Sequence, residues 1–158
     1  IAGYSGVDRR FQVKGVCSGF TIIDDYAHHP AEITATLKAA RHYPHKKLWC
    51  VFQPHTYTRT KAFLPEFAKA LSLADHVILA KIYSAREADI YGVSSADIQR
   101  LIAKEGTPCE YFESFPEIES FIKDNCKEGD VVITMGAGNI LEVGEDLLSP
   151  ELSTVTAP

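Results

Sequence analysis

The chain has 158 residues, 46% hydrophobic and 23% charged, with a net charge of -5 at pH 7. That length suits one domain able to bury a core without disulfides or metal, and the acidic balance argues against a nucleic-acid surface, which needs a basic stripe. No apolar stretch approaches the ~18 residues of a membrane span and no signal-peptide pattern stands at Ile1; because the first residue is not Met, the chain reads as a fragment or a processed product.

In chain order, Phe11–Val16 and Phe20–Asp24 flank Cys17-Ser18-Gly19 and predict a hairpin or two adjacent strands. Pro30 opens a segment to Arg41 with Ile33, Leu37 and Ala40 at helical spacing. Lys47–Phe52 is nearly all apolar, as in a strand covered on both faces. Thr58 to Leu71 puts Phe63, Phe67, Ala70 and Leu71 on one helical face, with Pro65 predicting a kink or a later start. His76–Ala80 reads as a buried strand. Ser94 or Ser95 caps a helix to Lys104, with Ile98, Leu101 and Ile102 as its apolar side. Glu110–Phe112 is a short strand, Phe115–Asn125 a helix and Val131–Met135 a final strand that runs into Gly136-Ala137-Gly138. Ile140 to Leu148 is a last short helix. This alternation predicts an α/β fold with an open, mostly parallel sheet, one domain over residues 1–148 and a fraying tail over 149–158.

Cys17, Cys50, Cys109 and Cys126 form no C-x-x-C pair. Cys50 and Cys109 read as small buried hydrophobes in a reduced, cytosolic protein. In such sheets ligands collect at the carboxyl ends of the strands, and four polar segments fall there: Asp24–His29, Gln53–Arg59, Tyr83–Glu87 and Gly136–Asn139. A metal is disfavoured, because His28 and His29 are adjacent and diverge, and His55 with Asp24 or Asp25 matches no zinc spacing. Hydrogen bonding at strand and helix ends accounts for His42, His45 and His76.

Asp24 and Asp25 point to opposite faces of an extended strand, which weakens a paired-carboxylate mechanism. An Asp here can instead accept from ribose hydroxyls. The G-A-G turn either presents amides to an anion or is only a tight strand-to-helix turn. Arg59 either clamps a carboxylate or phosphate or faces solvent, and Arg9 and Arg10 are open to the same two readings. No G-x-x-x-x-G-K-[ST] phosphate loop occurs.

Taken together, Tyr4–Phe11 (Y-S-G-V-D-R-R-F), Asp24–Glu32 (D-D-Y-A-H-H-P-A-E), Phe52–Thr60 (F-Q-P-H-T-Y-T-R-T) and Met135–Ile140 (M-G-A-G-N-I) resemble, in order and spacing, the C-terminal domain of the Mur ligase family. The resemblance covers the chain to about Leu148 and implies a Rossmann-like fold. It implies a three-domain enzyme: one domain for the UDP-sugar, a central P-loop ATPase, and this domain closing over the site. The implied activity is an ATP-dependent amide ligation in cytoplasmic peptidoglycan precursor synthesis. ATP phosphorylates the carboxylate of UDP-N-acetylmuramate and the amine of L-alanine attacks the acyl phosphate, with Mg held mainly by the central domain.

Residue by residue, the resemblance implies Arg10 and Asp24 or Asp25 at the nucleotide, and Tyr26, His28, Arg59 and Ala137 at the amino acid. Arg59 and His28 are the catalytic candidates, and no metal ligand falls in this chain. Two positions depart from the family pattern: Thr56 stands where arginine is common, and Asn139 where aspartate is usual. Tyr26, in place of the phenylalanine common in the branch that ligates a recycled peptide, favours the L-alanine branch. The alternatives are that peptide-recycling branch and a stand-alone nucleotide-binding module. As a ligase domain, the isolated chain is expected to be inactive.

Overall fold

The structure, a computed structural model, describes residues 9–149. All but the first residue of the expected tail, and the Tyr4–Asp8 part of the first motif, lie outside the described residues. The elements in order are β1 (Gln12–Cys17), β2 (Phe20–Asp25), α1 (Pro30–Arg41), β3 (Leu48–Phe52), α2 (Tyr57–Ala62), α3 (Leu64–Leu71), β4 (His76–Leu79), α4 (Ser95–Lys104), β5 (Cys109–Tyr111), α5 (Phe115–Asn125), β6 (Val131–Met135) and α6 (Leu141–Leu147).

They build one six-stranded sheet in the order β1-β2-β6-β3-β4-β5. Only β1 is antiparallel, paired to β2 through a two-residue turn. Ser18 and Gly19 take φ of 49° and 88° there, the left-handed geometry whose twist matches a hairpin. The other neighbours are parallel.

Central strands β3 and β6 are buried at every position, as a sheet covered on both faces requires. Their side chains alternate between two cores. Leu48, Cys50 and Phe52 pack with Ile33, Leu37, Phe67, Leu71, Ile98 and Ile102 from α1, α3 and α4. Trp49 and Val51 pack with Ile118, Ile122, Val143 and Leu147 from α5 and α6.

Three helices begin with a side-chain cap and a reciprocal acid at N3: His29 with Glu32, Ser94 with Asp97, and Ser114 with Glu117. The segment expected as one helix over Thr58–Leu71 is two. α2 ends at Ala62, Phe63 turns the chain at φ -124°, and Pro65 occupies the first turn of α3, where its missing N–H costs nothing.

From β2 the chain runs outward through β3, β4 and β5. It then returns through α5, on the opposite face, and inserts β6 between β2 and β3. That reversal opens a crevice at the carboxyl ends of β2, β6 and β3, where ligands bind in such sheets.

Candidate functional site

The crevice is built by backbone bonds that carry the sheet pairing past the strand ends. Gly136 N–H donates to Asp25 O at 3.1 Å, Gln53 N–H to Met135 O at 3.0 Å and Ala80 N–H to Phe52 O at 2.9 Å. Beyond them the loops after β3 and β4 stay joined. Tyr83 N–H meets Pro54 O at 2.9 Å, and Thr56 N–H meets Tyr83 O at 2.8 Å. All four polar segments singled out by sequence therefore meet on one edge.

Aromatic rings form one wall. Tyr26 and His28 pack edge-on at 5.4 Å, His28 and His55 lie 5.9 Å apart, and His55 stacks on Tyr83 at 5.5 Å with planes 20° from parallel. His28 Nδ1 lies 3.1 Å from Tyr26 O. A carbonyl only accepts, so Nδ1 carries the proton and Nε2 is the ring nitrogen left free of that bond. His55 Nδ1 is buried without a partner among the described residues. Burial, then the charges of Arg59 and His28, push the His55 pKa down, so the ring is held neutral.

His29 turns the other way. It caps α1 through Ala31 N–H and packs on Phe63 at 5.1 Å. The two adjacent histidines thus serve different elements. Among the described residues no three His, Cys, Asp or Glu side chains are gathered as a metal site would need.

The two acids have separate partners. Asp24, 1% exposed, receives Arg9 Nε at 2.7 Å and Thr134 Oγ1 at 2.8 Å. Asp25 receives Phe11 N–H and Ala27 N–H, each at 2.8 Å. Of the two, Asp25 lines a cavity of about 200 Å³ with exposed Arg10, Tyr26, Ala27 and Glu32. Asp24 faces inward and holds Arg9.

Arg9 is the site residue that sequence reasoning left open. Besides Asp24 it donates to Gly136 O at 3.0 Å and Gly138 O at 3.3 Å, and its guanidinium lies 5.2 Å from the centre of the Tyr26 ring. The residues themselves gave no signal to tell two adjacent arginines apart, and the resemblance singled out Arg10 alone. A buried acid at the strand end, needing a cation, was the one available clue.

The G-A-G turn packs closely on β3. Gln53 Nε2 donates to Asn139 Oδ1 at 2.8 Å, while Gln53 Oε1 has no partner among the described residues. Ala137 is half-buried at the middle of the turn.

Arg59 projects from α2, half-buried and without an ion pair among the described residues. The start of α2 is held twice. Thr56, at φ 66° and ψ 147°, accepts Arg59 N–H at its hydroxyl. Glu87 accepts Tyr57 N–H at 2.6 Å, Thr58 N–H at 3.1 Å and the Thr58 hydroxyl. The Thr58 hydroxyl first, then the helix amides, keep the Glu87 carboxyl below its usual range. Neither Tyr83 nor Glu87 has a role by motif, yet both fix the Arg59 helix to the crevice.

Comparison with known proteins points one way. The family described as "Mur ligase, glutamate ligase domain" matches residues 9–138. A UDP-N-acetylmuramate–L-alanine ligase of Agathobacter rectalis is 61% identical over 145 residues, which is 92% of this chain and 32% of that protein. The protein of the same name from Lachnospira eligens is 57% identical over 148 residues, 94% of this chain and 32% of its own length. This chain therefore spans about a third of the curated relatives it matches. Among solved structures, a Thermotoga maritima UDP-N-acetylmuramate-alanine ligase superposes with a TM-score of 0.72 at 28% identity, over 92% of this chain and 30% of that one. A murein peptide ligase of Psychrobacter arcticus gives a TM-score of 0.75 over 90% of this chain and 29% of that one; its identity of 23% speaks to the fold alone.

Proposed function

This chain belongs to the Mur ligase family, and we propose that it is the C-terminal domain of an ATP-dependent ligase joining L-alanine to UDP-N-acetylmuramate. The observation that carries the reading is the strand-end crevice. There His28 packs between Tyr26 and His55, and Arg59 has no ion pair among the described residues. An amino acid brings a carboxylate for a guanidinium fork and an amine that must reach neutrality before it attacks.

In this reading Arg59 holds the substrate carboxylate. His28, its Nδ1 proton engaged by Tyr26 O, offers Nε2 to the amine, and neutral His55 adds no competing charge. Tyr26 and Ala137 shape the pocket. The substrate ATP supplies the phosphoryl group that activates the carboxylate of the sugar.

Arg10 and Asp25 beside the cavity of about 200 Å³ suit a phosphate and a ribose, but the volume is below the ~300 Å³ of a complete small-ligand site. The remainder of the nucleotide belongs to other domains. In this reading Mg is held mainly by the central domain. Asp24, enclosed by Arg9 and Thr134, acts by holding Arg9 and not by touching the nucleotide. Four free thiols accord with the cytoplasm, where these substrates are used. Among the described residues no helix is long and apolar enough to cross a membrane.

The test is ADP release by the intact enzyme that carries this domain. Release is expected to require both UDP-N-acetylmuramate and L-alanine, and to be absent with the 158-residue chain alone. Preference for a peptide amine over L-alanine would assign the domain to the recycling branch. Tight ATP binding by the chain alone would assign it to a stand-alone module.

A further inference from the structure

We propose that Arg9 is a positioning residue for the amine substrate, dividing labour with its neighbour Arg10. Arg9 fixes the amino-acid wall, and Arg10 serves the nucleotide cavity. This inference rests on the ligase reading above.

The geometry uses nearly the whole guanidinium. Nε meets Asp24 Oδ2 at 2.7 Å, Nη2 lies 3.5 Å from Asp24 Oδ1 and 3.0 Å from Gly136 O, and Nη1 lies 3.3 Å from Gly138 O. Its flat face covers Tyr26 at 5.2 Å, and the Arg9 carbonyl accepts Tyr26 N–H at 2.7 Å. One side chain thus sets the spacing between Tyr26, after β2, and the Gly136–Gly138 turn, after β6. These are two sides of the proposed amine pocket.

The clamp is built into the interior. The Arg9 side chain is 11% exposed and that of Asp24 is 2% exposed, and Thr134 on β6 holds the acid from behind. A buried, fully bonded pair of this kind fixes orientation more than it adds stability. Lysine cannot reproduce it, because an ammonium is a point donor that cannot bridge a carboxylate and two carbonyls in one plane.

Arg10 is exposed and lines the cavity with Asp25 and Glu32. The consecutive side chains leave the backbone in different directions, so a change at each should reach a different substrate.

The experiment is steady-state kinetics of the intact enzyme carrying Arg9→Lys, Arg9→Ala or Arg10→Ala, with melting temperatures measured alongside. Arg9→Lys is expected to raise KM for L-alanine about tenfold, the effect of a misplaced pocket wall and not of a lost substrate contact. KM for ATP should stay within about twofold. Arg10→Ala is expected to reverse that split. A larger rise for Arg9→Ala than for Arg9→Lys completes the expected pattern; if the alanine variant does not fold, the lysine variant alone decides. An unchanged KM for L-alanine in Arg9→Lys, or equal rises for both substrates, overturns the assignment. Failure of the unsubstituted enzyme to ligate L-alanine would instead overturn the ligase reading itself.

Discussion

The side-chain amide of Gln53 donates to Asn139 Oδ1 across 2.8 Å, tying the exit of β3 to the turn after β6. The bond keeps its neutral form because residue 139 is Asn and not Asp, and it holds Gly138 against both Gln53 and Tyr83. A Cβ at Gly138 would stand 2.5 Å from Gln53 Oε1 and 2.8 Å from the Tyr83 ring.

Gly138→Ala should therefore overpack the crevice, even though the backbone there has no positive φ to forbid a side chain. The expected cost is about 1–3 kcal/mol, a fall of roughly 2–12 °C in the melting temperature of a chain this size. An unchanged melting curve would show that the turn is looser than the Gln53–Asn139 bond implies.

Thr56 holds a backbone conformation that is nearly confined to glycine, φ 66° and ψ 147°, at a cost of about 1–3 kcal/mol. Thr56→Gly should raise stability, since it releases that strain and a glycine in place of a capping threonine costs only about a few tenths of a kcal/mol. Thr56→Ala keeps the strain, loses the bond to Arg59 N–H and should destabilise by about 1 kcal/mol. Chemical denaturation of the pair checks both signs, and equal effects would remove strain from the explanation.

Glu119 on α5 faces Asp146 on α6, and its pKa rises from 4.5 to about 7 through burial first and then the hydrogen bond and repulsion of Asp146. The folded state holds this proton more tightly than the unfolded chain. The contribution to stability is therefore full below about pH 4.5 and is lost as pH rises through about 7. Glu119→Gln should melt higher than the unsubstituted chain at about pH 8 and show little difference at about pH 4. A difference independent of pH would deny the protonated pair.

The strands were legible because β3 and β6 are buried at every position and apolar at all but Thr134, and the helices because Pro30 and Ser94 mark two of their starts. The break between α2 and α3 was marked only by Pro65. The location of the crevice followed from where the apolar runs end. What sequence could not supply was the partner of each polar group. Asp24 and Asp25 are consecutive letters, yet one is enclosed by Arg9 and Thr134 and the other lines a cavity. Likewise, Glu87 reaches the start of α2 from 29 residues away, a pairing that exists only once Tyr83 is bonded to Pro54 and Thr56.

The electrostatics of the aromatic wall can be read without turnover. Arg59 follows burial among the causes that depress His55, so Arg59→Ala should move the His55 titration upward toward that of a free imidazole, as followed by NMR. No movement would place the guanidinium away from the ring.

The central claim is that this domain supplies the amine pocket, and kcat/KM for L-alanine in the intact enzyme tests it most directly. Arg59→Ala is expected to lower that ratio about 100-fold while KM for ATP changes by less than about twofold, as for loss of a charge-assisted carboxylate clamp. A ratio for L-alanine unchanged within error would contradict the account.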